Sequence, residues 1–291
     1  MRLFINRINI TVSTRESRGL RNNLIPLRII KMSVASNTEC GYAEMGKFEG
    51  RFKINDTSTV KKVKEMIYQK KLSIYNEGLD YIMKKQIPKG LYAITAESFS
   101  NGRDNITVAK QMLDAGIKIL QYRDKCKTKI KKLKQCEILR KLTLEYECFF
   151  IINDDIDIAL AVQSDGVHIG QTDLPIIKAR EICKNDIVIG LSTHTPEQAL
   201  LAVKHGADYI GVGPIYKTST KDMNPVGYEY LDFCVKNIEI PKAAIGGIKL
   251  INLHKICKYK PDNICMITEI TTSNNIKLTI KKAQEIINDY Y

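Results

Sequence analysis

This 291-residue sequence predicts an α/β fold: a (β/α)8 barrel behind an N-terminal extension of uncertain structure. Three observations carry that expectation. From Lys89 onward, short apolar runs alternate with amphipathic stretches of helical period, the pattern of a parallel sheet wound with right-handed crossovers. Eight such units fit into about 200 residues with short connections, which favours closure into a barrel; an open doubly wound sheet is the alternative. Nearly every strand run ends in cations, carboxylates, hydroxyls or amides, at the end where a barrel of this class places its chemistry.

The elements follow in order. Residues 1–12 alternate polar and apolar side chains and read as a strand; residues 13–50 have no clear period. Residues 52–56 read as a strand, and residues 57–67 as a helix capped by Thr57 or Ser58. The barrel then begins. Residues 91–95 are an apolar strand, and 104–115 a helix with Val108, Met112 and Leu113 on one side, closed by Gly116. Strand 117–122 precedes helix 129–146, strand 149–152 precedes helix 156–162, and strand 166–169 precedes helix 176–183, introduced by Pro175. Strand 188–191 leads to helix 196–204, with Thr195 as N-cap and Pro196 at the first helical position. Strand 209–213 is apolar and broken only by glycine, as expected of a strand buried on both faces, and is followed by helix 228–235. Strands 243–245 and 264–267 alternate with helices 251–257 and 276–287. The expected domains are therefore residues 1–88, the extension, and 89–291, the barrel.

Composition narrows the function. With 44% hydrophobic and 26% charged residues the chain is globular, and it has no apolar run long enough to span a bilayer. The N-terminus has no continuous apolar core or cleavage site of a secretory signal. Arg15, Arg18 and Arg21 among serines have the flavour of a transit peptide, but we expect a cytoplasmic protein. The eight cysteines form no C-x-x-C pair, so neither a zinc site nor a disulfide framework is signalled. The net charge of +13 sits mainly in residues 1–88, with 17 Lys+Arg against 8 Asp+Glu; residues 89–291 hold 28 against 24. That distribution argues against nucleic acid as a partner, and the lysine run at 125–134 reads as a solvated helix face.

The strand ends supply a coherent chemistry. Arg123, Lys125 and Lys221 are cations placed to meet a polyanion. Asp154 and Asp173 are hard oxygen ligands on neighbouring strands, the carboxylate number Mg²⁺ uses when phosphates complete its sphere. They could instead form a general acid–base pair, though Lys and Arg around them would keep both ionised. Thr218, Ser219 and Thr220 make a hydroxyl-rich loop between Lys217 and Lys221. Gly246 and Gly247, with the loop after the last strand, offer backbone amides to a second phosphate. Two anion sites suggest a diphosphate and a monophosphate meeting over the barrel. Asp155 reads as a helix cap; His168, His205 and His254 read as packing or surface residues, and His194 as a base in waiting.

Six separated motifs carry a resemblance: Q-Y-R-D-K (121–125), I-N-D-D (152–155), G-V-H-I-G-Q-T-D-L-P (166–175), G-L-S-T-H-T (190–195), G-V-G-P-I-Y-K-T-S-T-K (211–221) and A-I-G-G-I (244–248). Residues 89–288 resemble the thiamine-phosphate synthase family, a TIM-barrel transferase of alkyl groups other than methyl. The resemblance implies a dissociative alkyl transfer. It would couple 4-amino-2-methyl-5-hydroxymethylpyrimidine diphosphate to a thiazole phosphate, plain or carboxylated, releasing pyrophosphate and thiamine phosphate. Carried over, Gln121, Tyr122, Arg123, Asp124, Lys125, Asn153, Ser192 and Lys221 meet the pyrimidine diphosphate, with Arg123, Lys125 and Lys221 as the catalytic cations. Thr218, Ser219, Thr220, Gly247, Ile267 and Thr268 meet the thiazole phosphate, and Asp154 and Asp173 bind Mg²⁺. The implied partners are these small molecules, with neither nucleic acid nor membrane; a homo-oligomer stays open. One position departs from the family pattern: Thr268-Glu269 stands where Ser-Ala is usual, which puts a negative charge near the expected phosphate. The alternatives are a thiazole tautomerase of the same barrel family, for which His194 would matter, and a non-catalytic phosphate-sensing regulatory barrel.

Overall fold

The computed structural model of the protein describes residues 11–12, 31–32, 86–221 and 223–291. The chain divides into two compact units, Met1–Lys84 and Lys85–Tyr291. In the first, the two-residue strands Thr11–Val12 and Lys31–Met32 pair in parallel. The rest of the strand expected over 1–12, the strand over 52–56 and the helix over 57–67 lie outside the described residues.

In the second unit, eight parallel strands close a barrel among the described residues: β1 (Gly90–Ile94), β2 (Ile119–Tyr122), β3 (Phe149–Asn153), β4 (Gly166–Ile169), β5 (Val188–Thr193), β6 (Tyr209–Val212), β7 (Lys242–Ala244) and β8 (Asn263–Met266). They follow one another around the ring, and β8 returns to β1 with Asn263 opposite Gly90 and Met266 opposite Ala93. This closure excludes the open sheet. Outside lie α1 (Asn105–Asp114), α2 (Lys129–Glu145), α3 (Ile156–Ala161), α4 (Ile176–Cys183), α5 (Pro196–Lys204), α6 (Gly227–Asn237), α7 (Leu250–Cys257), α8 (Thr268–Thr271) and α9 (Ile276–Asn288). The caps follow local chemistry. The Asp104 carboxylate accepts from the amides of Ile106 and Thr107, and Thr195 Oγ1 accepts from Gln198 N. Two elements were not expected, a 3-10 turn at Glu97–Phe99 and the one-turn α8, both too short to show a period. β5 also runs on to Thr193, so Ser192 sits in a strand rather than in the loop after it.

Strand alternation makes two cores. Outward residues such as Leu120, Tyr122, Phe150, Val167, Ile210 and Met266 pack against helix residues such as Val108, Leu139 and Ile280. Inward residues Tyr92, Ile94, Ile119, Ile151, Val188, Tyr209, Ala243 and Cys265, joined by Ile87 ahead of β1, fill the lumen. Two glycines make room there. A Cβ on Gly190 would lie 2.1 Å from the Tyr209 ring, and one on Gly211 would lie 3.1 Å from the His168 ring.

The lower rim is held by a repeated device. Asp165, Asp208 and Asp262 each stand immediately before an even-numbered strand. Each accepts a backbone N–H from the strand before it: Phe150 at 3.0 Å, Ile189 at 2.8 Å and Lys242 at 3.1 Å. Each also pairs with a cation: Arg140 at 2.7 Å, Arg180 at 2.6 Å, and both Lys89 at 2.8 Å and Lys242 at 3.0 Å. The third clamp straddles the seam where β8 meets β1. These bonds fix the lower ends of the strands and leave the upper ends to the loops.

Candidate active site

At the upper rim, the β2 loop brings Arg123 and Lys125 to the aspartates of the neighbouring strand ends. The Lys125 ammonium pairs with the Asp154 carboxylate. Asp154 itself sits in the left-handed region at φ 62°, a conformation Asp tolerates better than most residues, and its N–H donates to His168 O at 2.8 Å. That turn aims its side chain past the end of β3. Asp173 is held by the Gly170 amide, which donates to Oδ2 at 2.7 Å. Burial holds the Asp154 carboxyl above its ordinary value, and the nearby Asp173 carboxylate adds to this while Lys125 opposes it. Such a pair of carboxylates accepts positive charge between them. Among the described residues no cluster of three or more His, Cys, Asp or Glu side chains is set to hold a metal.

The third cation comes from the β6 loop. Burial lowers the Lys221 ammonium below its ordinary value; Lys125 and Arg123 add to this, while Asp173 and Asp154 oppose it. Lys221, Lys125, Arg123, Asp154 and Asp173 thus sense one another at one place. Arg123 is held by the Thr95 hydroxyl, which accepts its backbone N–H at 3.0 Å, and its Nη2 donates to Thr220 O at 3.3 Å. The β2 and β6 loops are therefore joined across the mouth. Thr218 and Thr220 hydroxyls lie 3.0 Å apart, with Ser219 and Lys217 exposed beside them.

Gly246 and Gly247, at φ 101° and 63°, let the β6 loop lie directly on the turn after β7. A Cβ on Gly246 would meet Pro214 at 2.4 Å, and one on Gly247 would meet Lys217 O at 2.6 Å. Ile267 and Thr268 follow β8, Thr268 opening α8. Glu269 turns aside: its Oε1 accepts the Leu250 amide, the first of α7, at 3.2 Å.

Beneath the rim, one chain of polar contacts crosses the lumen. Gln121 Nε2 donates to Tyr92 Oη at 2.7 Å, and Tyr92 Oη lies 3.0 Å from Tyr209 Oη. Tyr209 Oη lies 2.9 Å from His168 Nδ1, and His168 Nε2 lies 2.9 Å from Ser192 Oγ. Burial, with the Lys221 charge adding to it, pushes the His168 imidazole down to about 4, so the ring is neutral at pH 7.

The structure does not bring every expected residue to the mouth. Tyr122 points outward into the shell between barrel and helices, where its hydroxyl donates to Gln135 Oε1 at 2.8 Å. The Asp124 carboxylate holds its own loop, accepting from Cys126 N, Lys127 N and Asn105 Nδ2 at 2.8–2.9 Å. Asn153, inward by alternation, ends β3. Asp155 occupies the N-cap position of α3 without a side-chain cap bond, its carboxylate going instead to Lys132 at 2.8 Å. His194 is held at both nitrogens: Nδ1 donates to Gly213 O at 2.5 Å, and Nε2 faces Lys221 Nζ at 3.4 Å. Sequence reading missed Thr95, Tyr92 and Tyr209. The inward parity of Tyr92 and Tyr209 was the available signal.

A family model described as thiamine monophosphate synthase matches residues 91–270, which run from β1 into α8. The chain belongs to the thiamine monophosphate synthase family. It is 47% identical over 217 residues to the thiamine-phosphate synthase of Pelotomaculum thermopropionicum, covering 74% of this chain and 98% of that protein. It is likewise 47% identical over 199 residues to the thiamine-phosphate synthase of Lawsonia intracellularis, covering 68% of this chain and 92% of that one. The solved thiamine phosphate pyrophosphorylase from Pyrococcus furiosus superposes with a TM-score of 0.65 at 33% identity, covering 69% of this chain and 96% of that chain. As a thiamine monophosphate synthase family member the chain is a transferase of thiamine biosynthesis on a TIM barrel. Among the described residues no helix is long and apolar enough to cross a membrane.

Proposed function

We propose that residues 89–291 couple 4-amino-2-methyl-5-hydroxymethylpyrimidine diphosphate to 4-methyl-5-(2-phosphoethyl)thiazole, giving thiamine phosphate and pyrophosphate. The observation that carries this reading is the gathering of Arg123, Lys125, Lys221, Asp154 and Asp173 at one rim. A polyanionic leaving group needs that much positive charge, and no nucleophilic side chain is needed. The aminopyrimidine supports its own methylene cation once the diphosphate departs. Arg123 and Lys221 hold the diphosphate oxygens and stabilise the charge that grows as the carbon–oxygen bond breaks. Lys125 moves from Asp154 to the same oxygens. Gln121 and Asn153 orient the pyrimidine end, Ser192 meets the diphosphate, and Thr218, Ser219, Thr220, Gly247, Ile267 and Thr268 hold the thiazole phosphate so that the ring nitrogen faces the cation. Tyr122 and Asp124 serve as supports of the β2 loop.

A magnesium ion fits this donor set. Asp154 and Asp173 repel each other and would hold it, with diphosphate oxygens and water completing the sphere. When bound it supplies further neutralisation of the departing pyrophosphate. A proton-transfer reading centred on His194 is disfavoured, because both of its ring nitrogens are already engaged.

The test is pyrophosphate release by purified protein. Release should require both substrates and Mg²⁺. No release with all three present overturns the reading, and conversion of thiazole phosphate alone would support the tautomerase. Asp154→Ala should keep the fold and lose at least about 100-fold in turnover, the scale of a lost transition-state electrostatic contact. A fully active variant refutes the metal role.

A further inference from the structure

The chain of contacts beneath the rim has two ends and, chemically, two senses. Each phenol can give one hydrogen and take one. In one sense hydrogens run from Gln121 through Tyr92 and Tyr209 to His168 Nδ1; Nε2–H then gives to Ser192 Oγ, and the Ser192 hydrogen is left for the mouth. In the reverse sense Ser192 gives inward, the hydrogen sits on Nδ1, and a serine lone pair faces the mouth. The orientation of Gln121, with Nε2 toward Tyr92 at 2.7 Å, belongs to the first sense. A diphosphate at the mouth would favour it as well. A diphosphate held by Arg123, Lys125 and Lys221 meets an O–H hydrogen in the first sense and a repelling lone pair in the second.

We propose that Tyr92, Tyr209 and His168 are positioning residues that fix the sense of this chain, so that Ser192 presents a hydrogen-bond donor to the diphosphate. This rests on the proposed function for the identity of the anion. The three residues lie beneath the rim. They act through Ser192 and Gln121, the two ends of one continuous path. Their placement is built rather than incidental: Gly190 opens the slot for the Tyr209 ring, Gly211 leaves room for the His168 ring, and Tyr92 and Tyr209 are wholly buried. A buried phenol with no partner would be costly, so each link constrains the next.

Nitrogen NMR of ¹⁵N-histidine-labelled full-length protein decides the sense, with inorganic pyrophosphate as the anion probe. The His168 resonances are assigned by their loss in His168→Asn. The expected result is a neutral ring protonated at Nε2, unchanged or sharpened by pyrophosphate. A ring protonated at Nδ1 overturns the proposal. Tyr209→Phe, which keeps the ring in its slot, should mix the two tautomers and weaken pyrophosphate binding roughly 10-fold, the loss expected for one charge-assisted bond no longer held in place. The KM for the thiazole phosphate should stay unchanged, whereas a general structural defect would move both. Tyr92→Phe should do the same more mildly. Unaltered tautomer and pyrophosphate affinity in Tyr209→Phe would also overturn the proposal, and if neither variant folds the wild-type spectrum still decides it. Because tautomer and pyrophosphate binding are read without turnover, a failed coupling assay would sink the proposed function and leave this result standing or falling separately.

Discussion

Glu269 shows how a single residue can sit badly with a motif and still be accommodated. Read from sequence, it adds a negative charge beside the expected thiazole phosphate. In the fold its carboxylate is drawn to the first amide of α7, the end of a helix that favours negative charge. The hydrogen bond restrains the side chain but leaves its charge in place. Glu269→Gln keeps an acceptor for Leu250 N and removes the charge. We expect the KM for the thiazole phosphate to fall about three-fold at low salt, with the difference shrinking as ionic strength rises. An unchanged KM at both salt levels would place the phosphate farther from Glu269 than Gly247 and Thr268 imply. Residue types at strand ends made the cations and carboxylates of the site legible. What they could not give was direction. Arg123 and Lys125 reach the rim, while Tyr122 between the same glutamine and arginine points the other way, since neighbouring strand residues face opposite sides.

At the scale of elements, period and punctuation were enough for the strands and the longer helices, because each strand is apolar and bounded and most helices have an apolar stripe; α2 was legible by its length between two strands, since it leaves Ile130, Ile138 and Leu144 exposed. α8 and the turn at Glu97–Phe99 escaped, as four or three residues carry no period. The inner polar chain escaped for another reason: its members lie on five different strands, and only closure of the ring brings them together. Glycine marks where that chain is accommodated. Gly190 has ordinary backbone angles, so its role is space rather than conformation. Gly190→Ala should drive a methyl group into the Tyr209 ring and cost about 3 kcal/mol, the upper part of the range for overpacking a tight core. Urea unfolding of wild type and variant would measure it. A loss under about 1 kcal/mol would mean that the ring has room to retreat.

For the whole molecule, the lower rim is the mechanical base and the upper rim the chemical one. The seam clamp illustrates the division. Burial alone would raise the Asp262 carboxyl, but Lys89 and Lys242 outweigh it and hold the group below its ordinary value. A carboxylate depressed in the folded state contributes stability above its unfolded value, near 3.9, and that contribution is lost as pH falls through the folded value. Asp262→Asn should therefore cost about 1–2 kcal/mol at neutral pH, with the gap starting to narrow below about pH 4 and closing only once the pH is under the folded value. Denaturant midpoints at several pH values test this, and a gap that does not narrow as the solution is made more acid would assign the loss to packing instead.

The lumen chain also has a consequence for how the ring holds its shape. Tyr92 on β1 and Tyr209 on β6 meet across the interior, so the barrel has a spoke as well as a circumference. If the ring were divided after β4, Gln121 and Tyr92 would stay together, but three of the four links would be severed: Tyr92 to Tyr209, Tyr209 to His168, and His168 to Ser192. Neither half could keep its inner oxygens and nitrogens satisfied alone. The two arcs are thus bound to fold as one body, and the groups that aim the serine hydroxyl also make the half-barrels depend on each other.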